Sequence, residues 1–359
     1  MAQSGGIGGI GGIGGIGGIG GIGGMTGLGG FLGAGDTGGY DPITTVGLQG
    51  TAESLLHRVG NGGVPAGNDL KYDDTENNNR WAAWVRGSLY LSEFLSQVGY
   101  SAGPNNAKSI TLTFAGNDLV KLDRPDDSLL ADQCVLVQNY ADLRADRTAE
   151  IISQLGFPTE YFAMILGLHA GQHEKTFELI TVTQVMAAHM AMIAKHALAI
   201  RRPDQLDGRI QPMIPTPGHG SFPSAHATEA YAVMTVMEGL TKSWDSFKDQ
   251  ADRMKMLRGL AERIAVNRTV AGVHFPIDSW AGAALGTALG QVVLQLCGQT
   301  GADAVTSLQY TPGNDDFSDY QFTQQGAQHG LQTGTTFSVS ATDHFSWIWE
   351  KALAETQKV

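Results

Sequence analysis

The longest apolar run in this chain, Trp280 to Cys297, restricts its fold more than any other segment. A helix needs about 20 predominantly apolar residues to cross a bilayer, and this run is rich in Ala and Gly and broken by Gln291 and Gln295. The next candidate, Met186 to Ile200, contains His189, Lys195 and His196. Both read as buried helices of a bundle, so no membrane span is expected. A mean hydropathy of −0.09 agrees.

From about residue 78 the pattern is mostly helical. Trp81, Trp84, Val85, Leu89, Phe94, Leu95 and Val98 recur at helical spacing up to Gly99, which reads as a core face. Ile110, Leu112 and Phe114 alternate ahead of Ala115-Gly116-Asn117-Asp118, predicting a small hairpin with Leu119 to Leu122. One long helix is predicted over Asp127 to Leu155, stopping at Gly156 and Pro158, and another carries Lys195 and ends before Pro203. A loop from Pro212 to Phe222 then leads to Ser224 at the start of the next helix. Helices over 248–267 and 278–297 complete the core. The expected fold class is all-α, a helical bundle with a minor β-hairpin.

Three parts are expected: residues 1–38, a catalytic domain over 39–310, and an extension over 311–359. The extension is polar and Gly-rich to 340, and Phe345, Trp347, Ile348 and Trp349 begin a terminal helix that docks on the bundle or on a second subunit. In the first part Ile7, Ile10, Ile13, Ile16, Ile19 and Ile22 recur every third position between Gly pairs. That period suits neither an amphipathic helix nor a strand, and reads as disorder or as an extended three-residue-per-turn helix with one Ile stripe that could drive assembly. The tract lacks the basic start and continuous apolar stretch of a secretory signal. Compartment stays open.

The chain carries 35 acidic and 23 basic side chains, a net charge of −12, which argues against nucleic acid and anionic membrane surfaces as partners. Positive charge in such a protein is expected either where an anion binds or in pairs with local carboxylates. Cys134 and Cys297 stand far apart and read as reduced, buried thiols. His169 and His173 have a spacing that could chelate a metal but lack the Glu of the zinc-protease pattern, and read as ordinary polar residues.

Three short stretches carry chemistry: Lys195 with Arg202-Pro203, then Pro223-Ser224-Ala225-His226, then Arg268 with His274 and Asp278. Together they offer three cations, one hydroxyl and two imidazoles to a tetrahedral oxyanion. Arg supplies a planar fork and Lys a point charge to the equatorial oxygens. Chemistry also needs an imidazole that attacks the central atom and a second that moves protons opposite it, roles open to His274 and His226. Asp278, four residues after His274, can hold the far ring nitrogen protonated and turn the near one to the ligand.

These stretches resemble the three-part pattern shared by type 2 phosphatidic acid phosphatases and vanadium-dependent haloperoxidases. The match spans residues 195 to 278, with two departures: Ala225 where the family usually has Gly, and Asn267 where it usually has Ser before Arg268. The resemblance implies the helical bundle of the haloperoxidase and acid phosphatase type. It also implies vanadate as cofactor, its metal bonded to His274 and its oxygens held by Lys195, Arg202, Ser224, Arg268 and the Ala225 N–H. Two features favour the haloperoxidase branch: a large helical region before Lys195, and His219, which stands where resembling bromoperoxidases have a His near the halide.

The resulting expectation is a peroxidase that oxidises halide, bromide or iodide favoured, with hydrogen peroxide to hypohalous acid, which then halogenates a small organic acceptor. In it Lys195 polarises bound peroxide, His226 handles protons, and His274 holds vanadium with Asp278 behind it. A homo-oligomer is expected from family habit. One alternative is a soluble phosphatase of the same superfamily acting through phosphohistidine; another is a non-enzymatic assembly protein using the Gly/Ile tract.

Overall fold

The computed structural model describes residues 42–55, 70–103, 108–244, 248–299 and 301–356; the Gly/Ile tract lies outside them. Helix α1 (Pro42–Leu55) is followed by α2 (Ala83–Leu95), which buries Arg86, Tyr90 and Phe94. The helix stops short of Val98. Val98 and Gly99 belong instead to strand β1 (Val98–Ala102), because their main chain pairs with β2 (Ser109–Phe114), Val98 opposite Phe114. Helical spacing in the sequence is overridden there by strand pairing.

The expected hairpin is present. Strand β3 (Asn117–Asp123) pairs antiparallel with β2 across Ala115 and Gly116, both at positive φ, the two-residue turn whose twist matches that of the strands. The helix expected over 127–155 is split by a 3₁₀ turn, Tyr140–Leu143, into α3 (Asp127–Asn139) and α4 (Arg144–Ser153). The break lets Tyr140 donate to Asp316 and Arg144 donate to the carbonyls of Val270 and Gln211. Helix α5 (Thr159–Leu166) ends at Gly167 in the left-handed region.

The centre of the bundle is α6 (Glu174–Leu198), linked through the one-turn α7 (Pro203–Leu206) to α8 (Ala225–Lys242), α9 (Gln250–Val270) and α10 (Pro276–Leu296). By length and composition α6 is apolar enough to cross a membrane, the only such helix among the described residues, yet 83% of its most apolar window is buried inside the protein. It is a core helix. Helices α8 and α10 approach closely because Gly282, Gly286 and Gly290 line the contact at every fourth residue. A Cβ on Gly286 would stand 2.4 Å from the Thr228 carbonyl.

Strand β4 (Val305–Tyr310) pairs parallel with β3, and after α11 (Asp319–Gln324) strand β5 (Leu331–Phe337) pairs antiparallel with β4. The sheet therefore has five strands in sequence order rather than a lone hairpin. Tyr310 stacks on Trp280 of α10 and on Phe222, with ring centroids 6.0 and 6.4 Å apart. Helix α12 (Asp343–Thr356) docks on α6 and α2 of the same chain. Its Trp347 ring lies under the Arg86 guanidinium, which makes a buried pair with Glu178 at 2.6 and 2.5 Å.

Candidate active site

Four helix ends meet at one place. Lys195 lies in the last turn of α6, and Ala199, at φ 49°, turns the chain so that Arg202 precedes α7. Ser224 caps α8, Arg268 lies in the last turn of α9, and Asp278 lies in the first turn of α10. Main-chain bonds join the pieces: Ser224 N–H to the Asp278 carbonyl at 2.9 Å and Ser221 N–H to the Ile200 carbonyl at 2.8 Å. Lys195, Arg202, Ser224, Ala225, Arg268, His274 and Asp278 are all buried, with His226 half-buried. The sequence-distant residues are thus brought together. His226 feels the charges of Arg268, Lys195 and Arg202, and His274 those of Arg202 and Lys195.

His274 sits just before α10 rather than on it. Asp278 reaches it because, as an acidic residue in the first turn, it folds back to accept the Phe275 N–H at 2.9 Å with the same Oδ2 that takes His274 Nδ1 at 2.8 Å. A carboxylate there makes Nδ1 the protonated nitrogen, so Nε2 carries the lone pair. Arg202 Nη1 donates to that lone pair at 2.9 Å. Burial, then Arg202 and Lys195, hold the His274 pKa well below the usual imidazole range. Burial pushes Asp278 up to about 6, against the Ser221 hydroxyl, Lys195, the Phe275 N–H and Arg202. At neutral pH the dyad is a neutral imidazole on a carboxylate.

On the other side, His226 Nε2 stands 3.0 Å from the Gln154 carbonyl, which can only accept, so the proton is on Nε2 and Nδ1 has the lone pair. Burial, then Arg268, push the His226 pKa down to about 3. Arg268 donates to the carbonyls of Gln154 and Ile151 and to Gln154 Oε1, and its Nε has no acceptor among the described residues. Burial lowers Arg268 and Arg202 to about 10, which leaves both charged at neutral pH. Lys195 donates to the carbonyls of Gly220 and Ser221 at 2.8 and 2.7 Å, and burial beside Arg202 pulls its pKa well down. An ammonium, two guanidiniums with an orphaned buried N–H, and the N-terminus of α8 fit a tetrahedral oxyanion, vanadate and phosphate alike.

Three residues were not singled out from the sequence. Ser221 donates to Asp278 Oδ2 at 2.5 Å; Gln154 holds both His226 and Arg268; Asn267, noted only as a departure, bonds Gln154 Oε1 at 2.9 Å and Glu150 at 2.8 Å. No motif announces a Ser or an amide whose task depends on where the chain folds. His219 Nδ1 accepts from Arg202 Nη2 at 3.1 Å and its carbonyl accepts from Arg202 Nε at 3.0 Å, so it steadies that guanidinium. Burial, then Lys195, lower its pKa to about 4. Among the described residues no His, Cys, Asp and Glu cluster could hold a metal ion. Cys134 and Cys297 are free and buried.

Residues 178–300 match the family model described as the PAP2 superfamily. Two curated relatives, each a decaprenylphosphoryl-5-phosphoribose phosphatase from a strain of Mycobacterium tuberculosis, are 30% identical over 130 residues. The alignment covers 36% of this chain and 66% of each relative. Among solved structures, the first transmembrane PAP2 type phosphatidylglycerolphosphate phosphatase from Bacillus subtilis is similar at 20% identity and a TM-score of 0.39, over 46% of this chain and 85% of that one. The two curated relatives overturn the expectation of halide oxidation, since both are named as phosphatases. The cationic cradle and two imidazoles serve either chemistry, and the features that had favoured peroxide, the large helical region before Lys195 and His219, do not separate them. His219 bonds Arg202, a cation that either oxyanion would need.

Proposed function

We propose that this chain is a phosphatase that hydrolyses phosphomonoesters through a phosphohistidine on His274. The observation that carries the proposal is the His274 Nε2 lone pair, fixed by the Nδ1 bond to Asp278 and aimed at the Arg202 guanidinium. An arriving phosphoryl group draws the Arg202 N–H onto its own oxygens and frees Nε2 to attack phosphorus. The P–O bond to the alcohol breaks as the P–N bond forms. Arg202, Arg268, Lys195, the Ser224 hydroxyl and the Ala225 N–H take the three equatorial oxygens, whose charge they hold through the transition state.

His226 gives the leaving alkoxide its proton. Burial, and then the cations of the cradle, hold His226 near 3; a bound dianion offsets the cations, which lets the imidazole carry that proton once substrate is bound. In the second half His226 takes a proton from water, which attacks phosphorus, releases phosphate and restores His274. Lipid-linked sugar phosphates are candidate substrates, because the curated relatives bear that name. On this reading vanadate would compete for the phosphoryl position as an inhibitor, held by the same cations and His274.

The test is hydrolysis of a chromogenic phosphomonoester and of a decaprenyl-linked phosphoribose phosphate, with competitive inhibition by vanadate. Acid-labile, base-stable labelling of His274 after quenching is the expected signature of the intermediate. A folded protein that releases phosphate from neither ester would overturn the reading.

A further inference from the structure

Arg268 is 2% exposed, yet the acceptors around it are neutral: the carbonyls of Gln154 and Ile151, and Gln154 Oε1 at 3.2 Å. Gln154 lies at the C-terminal end of α4, where main-chain carbonyls lack intrahelical donors and are open to bonds from outside. Its own carbonyl takes two of them, from Arg268 Nη1 and from the Nε2–H of His226. Its side-chain amide is held at both ends, Oε1 by Asn267 Nδ2 at 2.9 Å and Nε2 by Glu150 Oε1 at 3.2 Å. Glu150 in turn directs its charge outward to Arg263, at 2.7 to 3.0 Å.

We infer that Gln154 is the positioning residue of the His226 and Arg268 half of the site, and that its amide keeps the nearest carboxylate, Glu150, off the Arg268 guanidinium. The inference rests on the phosphatase reading and deepens it. A carboxylate in place of Gln154 Oε1 would form a charge-assisted pair with Arg268 and cancel much of the field that a phosphate dianion needs. An amide orients the guanidinium through one bond and leaves its charge to the ligand. The same residue fixes the proton of His226 on Nε2, so the ring presents Nδ1 as its proton-accepting nitrogen. Asn267, where the resembling family usually has Ser, completes the arrangement: its amide bonds both Glu150 and Gln154, which a hydroxyl on one short stem would not span.

The probe is inorganic phosphate, titrated by calorimetry against the full chain and also measured as a competitive inhibitor of a chromogenic ester. Gln154→Glu is expected to weaken phosphate binding by about tenfold or more, with KM rising more than kcat falls. Gln154→Met keeps the length and loses the oxygen, and should weaken binding by about threefold. It should leave the pH profile in place, because the main-chain carbonyl still holds His226. Asn267→Ser, which removes the bond to Gln154 Oε1, should move binding in the same direction and keeps the test alive if Gln154→Glu does not fold. Folded variants that bind phosphate as the parent does, or that lose only melting temperature, would overturn the role of Gln154. A parent chain that neither binds phosphate nor cleaves the ester removes the phosphatase reading itself, a separate and distinguishable result.

Discussion

The two imidazoles of the site are held by opposite means. His274 is backed by an ion, the Asp278 carboxylate at 2.8 Å, itself sharing Oδ2 with Ser221 and the Phe275 N–H. His226 is backed by a neutral main-chain carbonyl at 3.0 Å, and the guanidinium beside it by amide oxygen. A carboxylate raises the electron density of the ring it touches and stabilises the charge that phosphorylation places there. A carbonyl fixes a tautomer and leaves basicity to the bound ligand. On the proposed phosphatase reading, the difference separates a nucleophile from a proton carrier among residues of one type.

The comparison breaks first at its strong end. His274→Ala should lower kcat for a chromogenic phosphomonoester by roughly 10⁴-fold or more with the circular dichroism spectrum unchanged, and near-parental turnover would assign the nucleophile elsewhere. Next, Asp278→Asn should cost roughly 10²- to 10⁴-fold, since an amide at that position permits the wrong tautomer of His274. His226→Ala sharpens the contrast, because its cost depends on the leaving group. Steady-state measurements should show a loss of roughly 10²- to 10³-fold with an alkyl phosphate and a smaller one with an aryl phosphate, whose alcohol leaves without a proton. Equal losses would remove His226 from that step.

Acid should expose the same asymmetry as stability. His226, His219 and His274 are all held below the ordinary imidazole value, the first two at about 3 and about 4. The unfolded chain therefore takes up protons that the native one refuses, and stability is lost as pH falls below about 6.5. Asp278, raised to about 6, acts in the opposite direction between 6 and its ordinary 3.8, as do Glu229, Glu238 and Asp319, whose carboxyls burial also raises. The contribution of one imidazole is read as a difference: in calorimetry from pH 7 to pH 4.5, His226→Gln should lose less melting temperature than the parent, and parallel profiles would contradict the His226 shift.

The smallest effect tests the spacing of the carboxylate half. Gly286→Ala puts a Cβ 2.4 Å from the Thr228 carbonyl and should cost about 1–3 kcal/mol of unfolding free energy. Gly259→Ala on α9, with nothing within 4 Å, should instead stabilise by about 0.5–1 kcal/mol. Denaturant titration of the pair separates crowding between α8 and α10 from helix propensity.

Much of this was readable before the structure. Lys195, Arg202, Ser224, Ala225, His226, Arg268, His274 and Asp278 stand in the order and spacing of the three-part pattern the sequence resembles, and the structure places all of them at the meeting of four helix ends. The link from Asp278 to His274 was expected from helical spacing, but it comes from an N-terminal cap, since α10 begins at Pro276. Strand β5 gave no hydrophobic signal because residues 332–336 are exposed and it is held by main-chain pairing. Val98 was drawn out of its helical pattern for the same reason. Gln154 and Ser221 are ordinary residue types, and only tertiary placement gives them a task.

The stack of Tyr310 on Trp280 and Phe222 has a bearing on how portable this catalytic unit is. Tyr310 and Gln154 both lie outside residues 178–300, one downstream and one upstream, yet one braces the loop and helix that carry Ser221 and Asp278 and the other anchors His226 and Arg268. Grafting the shared segment alone into a foreign scaffold would transplant the reactive groups without their buttresses. Chimeras that respect the two flanks are the ones in which the borrowed machinery should still turn over.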